Sequence, residues 1–177
     1  MTARYQQRAA PTRSAVGRAA PARAVSANVP GVLLFPPLLY ATAFVVGLLA
    51  QWARPATILP PSVALPTGLL LLVLGGLLAS WGRRTMLRAG TNVNPASPAR
   101  ALVVTGPFAF SRNPLYVART LLYLGLAFAM NTPWAILALL PLLGVMHYGV
   151  IRREERYLDE KFGAAYRQYQ ARVRRWM

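Results

Sequence analysis

The chain has 177 residues, a formal net charge of +16 and no cysteine, with 55% hydrophobic but only 14% charged side chains. It is long enough for one domain and too apolar for an ordinary soluble one. The missing cysteines exclude disulfides and thiolate metal ligation, and a single histidine, His147, argues against a histidine-based metal site, so no metal is expected.

Residues 1–29 carry Arg4, Arg8, Arg13, Arg18 and Arg23 among Ala, Pro, Ser and Gln, with no acid and no apolar face. They read as a solvated, disordered basic arm with anionic lipid as a possible surface contact. Residues 30–177 read as one membrane domain. A first apolar run covers about 32–52, close to the roughly 20 residues a helical span needs. Pro36-Pro37 fall in its first turns, where proline is tolerated, and Arg54-Pro55 ends it. A second run covers 63–81, and Gly75-Gly76 within it would let another helix approach closely.

The chain then turns basic and polar. Gly106-Pro107 forces a turn, and Arg112-Asn113-Pro114 opens a helix with Asn113 as an expected N-cap. Phe108, Phe110 and Tyr116 add flat surfaces, so this segment suits either a nucleoside or a capped re-entry into the membrane. Third and fourth spans are expected at about 114–130 and 134–150, joined as a helical hairpin by the turn signal Asn131-Thr132-Pro133. Arginines crowd the arm, the 82–116 loop and the tail, while the two other loops hold only Arg54. The positive-inside rule therefore places both termini and the 82–116 loop in the cytoplasm, and reads the charge as membrane topology rather than nucleic-acid binding. The expected fold is all-α integral membrane: four transmembrane helices plus a C-terminal cytoplasmic amphipathic helix over 151–176, located in the cell inner membrane.

The four acids of the chain all lie in that tail: Glu154, Glu155, Asp159 and Glu160. Ile151, Glu154, Glu155, Leu158 and Phe162 follow the i, i+3, i+4, i+7, i+11 pattern, so both glutamates border an inward stripe. An inward carboxylate needs a partner: an arginine (Arg83, Arg84 or Arg112) or a ligand. Asp159 and Glu160 read as a solvated face. His147 and Tyr148, at the end of the fourth run, are either packing residues or part of a pocket.

Arg112-Asn113-Pro114-Leu115-Tyr116, then a hydrophobic hairpin, then Glu154-Glu155, resembles the Arg-His-Pro-x-Tyr and Glu-Glu signature of integral-membrane methyltransferases, the superfamily of isoprenylcysteine carboxyl methyltransferases and phospholipid methyltransferases. The flanks Leu102-Val103-x-Thr105-Gly106 and Phe162-Gly163-x-x-Tyr166-x-x-Tyr169 agree, and the likeness covers about 75–176. It implies S-adenosylmethionine as cofactor, held by Arg100, Ala101, Leu102, Val103, Phe108, Asn113, Pro114, Leu115, Tyr116, Glu154 and Glu155. Arg112 would support the site, and Tyr148 and His147 would stand on the acceptor side as catalytic candidates. The acceptor would be a lipid or apolar small molecule entering from the bilayer. Two positions depart from the family pattern: Asn113 stands where the signature has histidine, and Val150 stands near where the carboxyl methyltransferases place a substrate-binding arginine. The alternatives are a membrane-embedded NADPH-dependent reductase of the sterol-reductase type and a non-catalytic scaffold.

Overall fold

Proline opens each of the long helices. In the computed structural model, which describes residues 35–94 and 97–176, α1 runs Pro36–Ala53, α2 Pro61–Arg88, α3 Pro114–Ala129 and α4 Pro133–Val145. A proline at the first helical position loses no hydrogen bond, because that N–H has no partner inside the helix, and its fixed φ already suits the turn. No strand occurs among the described residues. The arm expected over 1–29 lies outside them.

Among the described residues, three helices are long and apolar enough to cross a membrane: Pro36–Ala53, Pro61–Arg88 and Pro133–Phe162. The third is α4 continued through a π-helical stretch, Met146–Ile151, into α5, Arg152–Phe162. The remaining expected span, α3, has 16 residues, which at 1.5 Å per residue is about 24 Å, short of a hydrocarbon core of about 30 Å. Leu38, Val46, Leu49, Leu69, Val73, Leu77 and Leu140 point outward and are exposed. An apolar belt of this extent suits lipid rather than water.

Backbone proximity organises the bundle. α2 packs along α3, and α1 along α4. Gly68, Gly75 and Gly82 are buried on α2, and they recur every seventh residue along one face. A methyl group on Gly75 would come within 2.9 Å of Leu122 Cγ, and one on Gly125 of α3 within 2.8 Å of the Leu72 backbone. Gly76, by contrast, has open space around it. The close approach anticipated at the Gly-Gly pair therefore belongs to Gly75.

The α3–α4 connection is the tight turn expected, with Asn131 at φ 50°. Its two helices nevertheless pack chiefly on other partners, and Tyr123 Oη, donating to Ala135 O at 2.8 Å, links them. The Asn131 side chain accepts from Ile58 N and Leu59 N and donates to Leu59 O, which ties this turn to the α1–α2 loop.

The tail differs from the single helix expected over 151–176. Gly163 at φ 52° stops α5, with its N–H donating to Asp159 O at 2.8 Å. Left-handed backbone of this kind strains any residue with a Cβ, and it turns the chain into a separate α6, Ala164–Arg172. Val173 is extended, and the last described residues run back toward the start of α3.

Candidate functional site

The start of α3 and the first turn of α5 face one another across a pocket. Phe108, Arg112, Asn113, Pro114, Leu115 and Tyr116 line one side, and Glu154, Glu155, Tyr157 and Leu158 the other. Met86, Asn92 to Asn94, Ser97 and Ala99, from the end of α2 and the loop after it, close the pocket, and Tyr166 of α6 joins them.

The two glutamates have separate fates. Glu155 is buried, at 8% exposure. Arg175 grips it bidentately, Nε to Oε1 at 2.9 Å and Nη2 to Oε2 at 2.7 Å, and Arg112 Nη1 lies 3.2 Å from Oε1. Two arginines satisfy this carboxylate, the arrangement a buried charge requires. Of the pairings considered from sequence, the one with Arg112 forms, while Arg83 and Arg84 are exposed.

Glu154 accepts one hydrogen bond, from Tyr116 Oη to Oε1 at 2.6 Å, and no arginine lies within ion-pairing distance of it among the described residues. It sits just past the apolar stretch that ends at Ile151. Burial is the main reason its carboxyl is pushed up to about 7. The Glu155 charge adds to this, while the Tyr116 hydroxyl and the Arg119 charge oppose it. A carboxyl raised in this way is stabilised in its ionised form when a cation arrives.

The segment before α3 is held from the C-terminal side. Arg112 N donates to Arg174 O at 3.0 Å, and Ser111 Oγ and Asn113 Nδ2 donate to Arg175 O at 3.3 and 3.1 Å. Tyr169 Oη donates to Phe108 O at 2.7 Å. Asn113 does occupy the N-cap position of α3, but its side chain makes no capping bond. The amide is spent on Arg175, and Ser111 Oγ takes the Asn113 N–H instead. Arg112 Nε is buried without a hydrogen-bond partner among the described residues. A buried donor of this kind calls for an acceptor.

Other expected site residues lie elsewhere. Arg100 and Ala101 donate their N–H groups to Thr91 Oγ1, Val103 is buried, and none of the stretch Arg100 to Val103 lines the pocket; its neighbour Ala99 does. Tyr148 is 66% exposed, beneath the Arg152 guanidinium. His147 faces a separate apolar cavity with Val117, Thr120, Leu121, Leu143 and Trp176. The π-helical stretch carries both residues, and neither reaches the Glu154 pocket. Val150 is fully buried, and Arg152 and Arg153 point outward.

Sequence reasoning missed Arg119 and Arg175, and had Tyr166 only as part of the flank after Gly163. Arg119 lines the pocket and lies over the Tyr116 ring at 5.2 Å. Its signal was present: it is the one charged residue in the third apolar run, and a charge at such a position is seldom idle. Arg175 gave no local signal, since its partner lies 20 residues away across the Gly163 break.

The profile of the phospholipid methyltransferase family matches residues 63–165. A 63-residue stretch, 36% of this chain, is 35% identical to an uncharacterized protein of Haemophilus influenzae and covers the whole of that protein. No solved structure matches. The family match gives the reductase alternative no support.

Proposed function

The chain belongs to the phospholipid methyltransferase family and is a membrane methyltransferase; from that premise we propose that it transfers a methyl group from S-adenosylmethionine to a lipid or apolar small-molecule acceptor at the cytoplasmic face of the inner membrane. One observation carries the reading: the Tyr116–Glu154 hydrogen bond joins the two halves of the signature at a single pocket. The donor set fits the cofactor. Glu154 offers a carboxylate to a cation, the unpartnered Arg112 N–H offers a donor to a carboxylate, and Met86 and Phe108 offer apolar surface to an aromatic base.

When bound, S-adenosylmethionine supplies a methyl group on a sulfonium: an acceptor lone pair forms the new bond to carbon as the S–CH3 pair returns to sulfur, leaving a neutral thioether. Glu154 holds negative charge beside the pocket. Tyr116 fixes the direction of that carboxylate. Arg112 and Arg175 neutralise Glu155, so it does not compete for the same cation. A carboxylate or thiolate acceptor needs no proton removed, and a neutral amine releases its proton to solvent after transfer. The protein's contribution is therefore position and exclusion of water rather than acid-base chemistry.

We place the methyltransferase domain at 30–177, with the bilayer and the acceptor as its partners and 1–29 as a basic arm outside it. Both termini face the cytoplasm, with α3 crossing or entering the membrane as a fourth segment. Calorimetric titration of detergent-solubilised protein with S-adenosylmethionine tests the core of this reading. Wild type should bind, and Glu154→Gln should lose at least about tenfold in affinity, the scale of one charge-assisted contact. Absence of binding to a folded wild type would sink it.

A further inference from the structure

Arg119 is the residue shared by two cavities. One is the Glu154 pocket. The other is a groove between α1 and α3, lined by Tyr40, Phe44, Val45, Leu122 and Leu126. Val45 and Leu126 are exposed on the outer, apolar surface of the bundle, so the groove opens where lipid would lie. Its walls are aliphatic and aromatic, and Arg119 is its one charged residue. No carboxylate lies within ion-pairing distance of that guanidinium among the described residues, where the ion pairs are Arg112–Glu155, Arg175–Glu155 and Arg167–Asp159; its charge reaches Glu154 only across the shared pocket. It rests instead over the Tyr116 ring.

A cation at the head of an apolar groove is costly unless an anion meets it. Arginine suits a carboxylate or a phosphate best, since its planar fork donates two parallel hydrogen bonds to either. Arg119 also lies three residues after Tyr116, hence about one helical turn, some 5 Å, deeper along α3. An anion held there would stand within a few bonds of any atom presented to the pocket beside Tyr116 and Glu154.

We propose that Arg119 is the acceptor-selecting residue of this chain: it holds the anionic group of a membrane amphiphile whose hydrocarbon chain lies in the α1–α3 groove. This rests on the methyltransferase reading for its purpose, but not for its test. The anion is a carboxylate or a phosphate; both present the same oxygens to the guanidinium, and the probes below separate them. A neutral amphiphile of equal chain length lacks the group Arg119 needs.

The experiment measures binding of oleate, oleyl phosphate and oleyl alcohol to the full chain in a neutral detergent, by competition with a fluorescent fatty acid. Wild type should bind at least one of the two anions more tightly than the alcohol. Arg119→Gln should lower that affinity about tenfold or more, as loss of a charged hydrogen-bonding partner does, while leaving the alcohol unchanged. Arg119→Lys should restore part of the loss. Val45→Trp, which fills the groove, should weaken all three ligands alike. S-Adenosylmethionine affinity of wild type is read on the same samples. Equal binding of anion and alcohol by wild type, or equal loss of both in Arg119→Gln, would each overturn the assignment. If wild type binds the anion and not the cofactor, the proposed activity fails while the Arg119 site stands.

Discussion

Two adjacent glutamates do opposite things. Glu155 is locked between Arg112 and Arg175, whereas Glu154, among the described residues, accepts a hydrogen bond from the Tyr116 hydroxyl alone. Removing Glu155 leaves two partly buried guanidinium groups without their carboxylate, so Glu155→Ala should cost about 3 kcal/mol of stability or more, seen as a lower melting temperature in detergent. Glu154 behaves differently because its carboxyl is pushed up to about 7. The raised value means the folded protein holds this proton more tightly than the unfolded chain does. The group's contribution to stability is therefore complete below its ordinary carboxyl range and is lost as pH rises through about 7. Cofactor affinity should run the other way. A cationic ligand prefers the ionised carboxylate, so the dissociation constant measured by calorimetry should fall from pH 6 to pH 8, and Glu154→Gln should flatten that dependence. Tyr116→Phe removes the donor to Oε1 and should weaken cofactor binding less than Glu154→Gln does.

Element boundaries follow from local chemistry, and element partners do not. Proline stands at the first helical position of α1 to α4, because its fixed φ acts where it stands; Pro114 was expected to open its helix, whereas the runs expected from about 32, 63 and 134 begin as helices at Pro36, Pro61 and Pro133. The pairing of α2 with α3 and of α1 with α4 was not legible. Neighbours in sequence suggested a hairpin of α3 with α4, but the glycine faces of α2 and α3 allow closer backbone contact. Gly125→Val would drive a side chain into the Leu72 backbone and should cost about 1–3 kcal/mol, the usual range for overpacking, whereas Gly76→Val, in open space, should leave the melting temperature nearly unchanged. The tail shows the same division. Its apolar stripe was visible, but the break at Gly163 was not, because a glycine inside a helical pattern is compatible with either a helix or a stop.

At the scale of the whole molecule, the apolar exterior and three long apolar helices make this an integral membrane protein of a methyltransferase family. The arginine distribution predicts which loops face the cytoplasm. Because the chain has no cysteine, single substitutions report sidedness without background. Thr57→Cys in the α1–α2 loop should react with an impermeant maleimide from outside intact spheroplasts, and Ala89→Cys after α2 only once they are opened; the reverse pattern would overturn the orientation. Sequence by itself determined the helical class, the start of α3 at Pro114, the membrane setting and the two short motifs of the site, since apolar runs, prolines and adjacent acids act through neighbouring residues. Only the tertiary structure decided that Glu155 is occupied by Arg175, that Glu154 stays available, and that Arg119 stands between pocket and groove. Those outcomes depend on side chains brought together from distant segments, which no local pattern records.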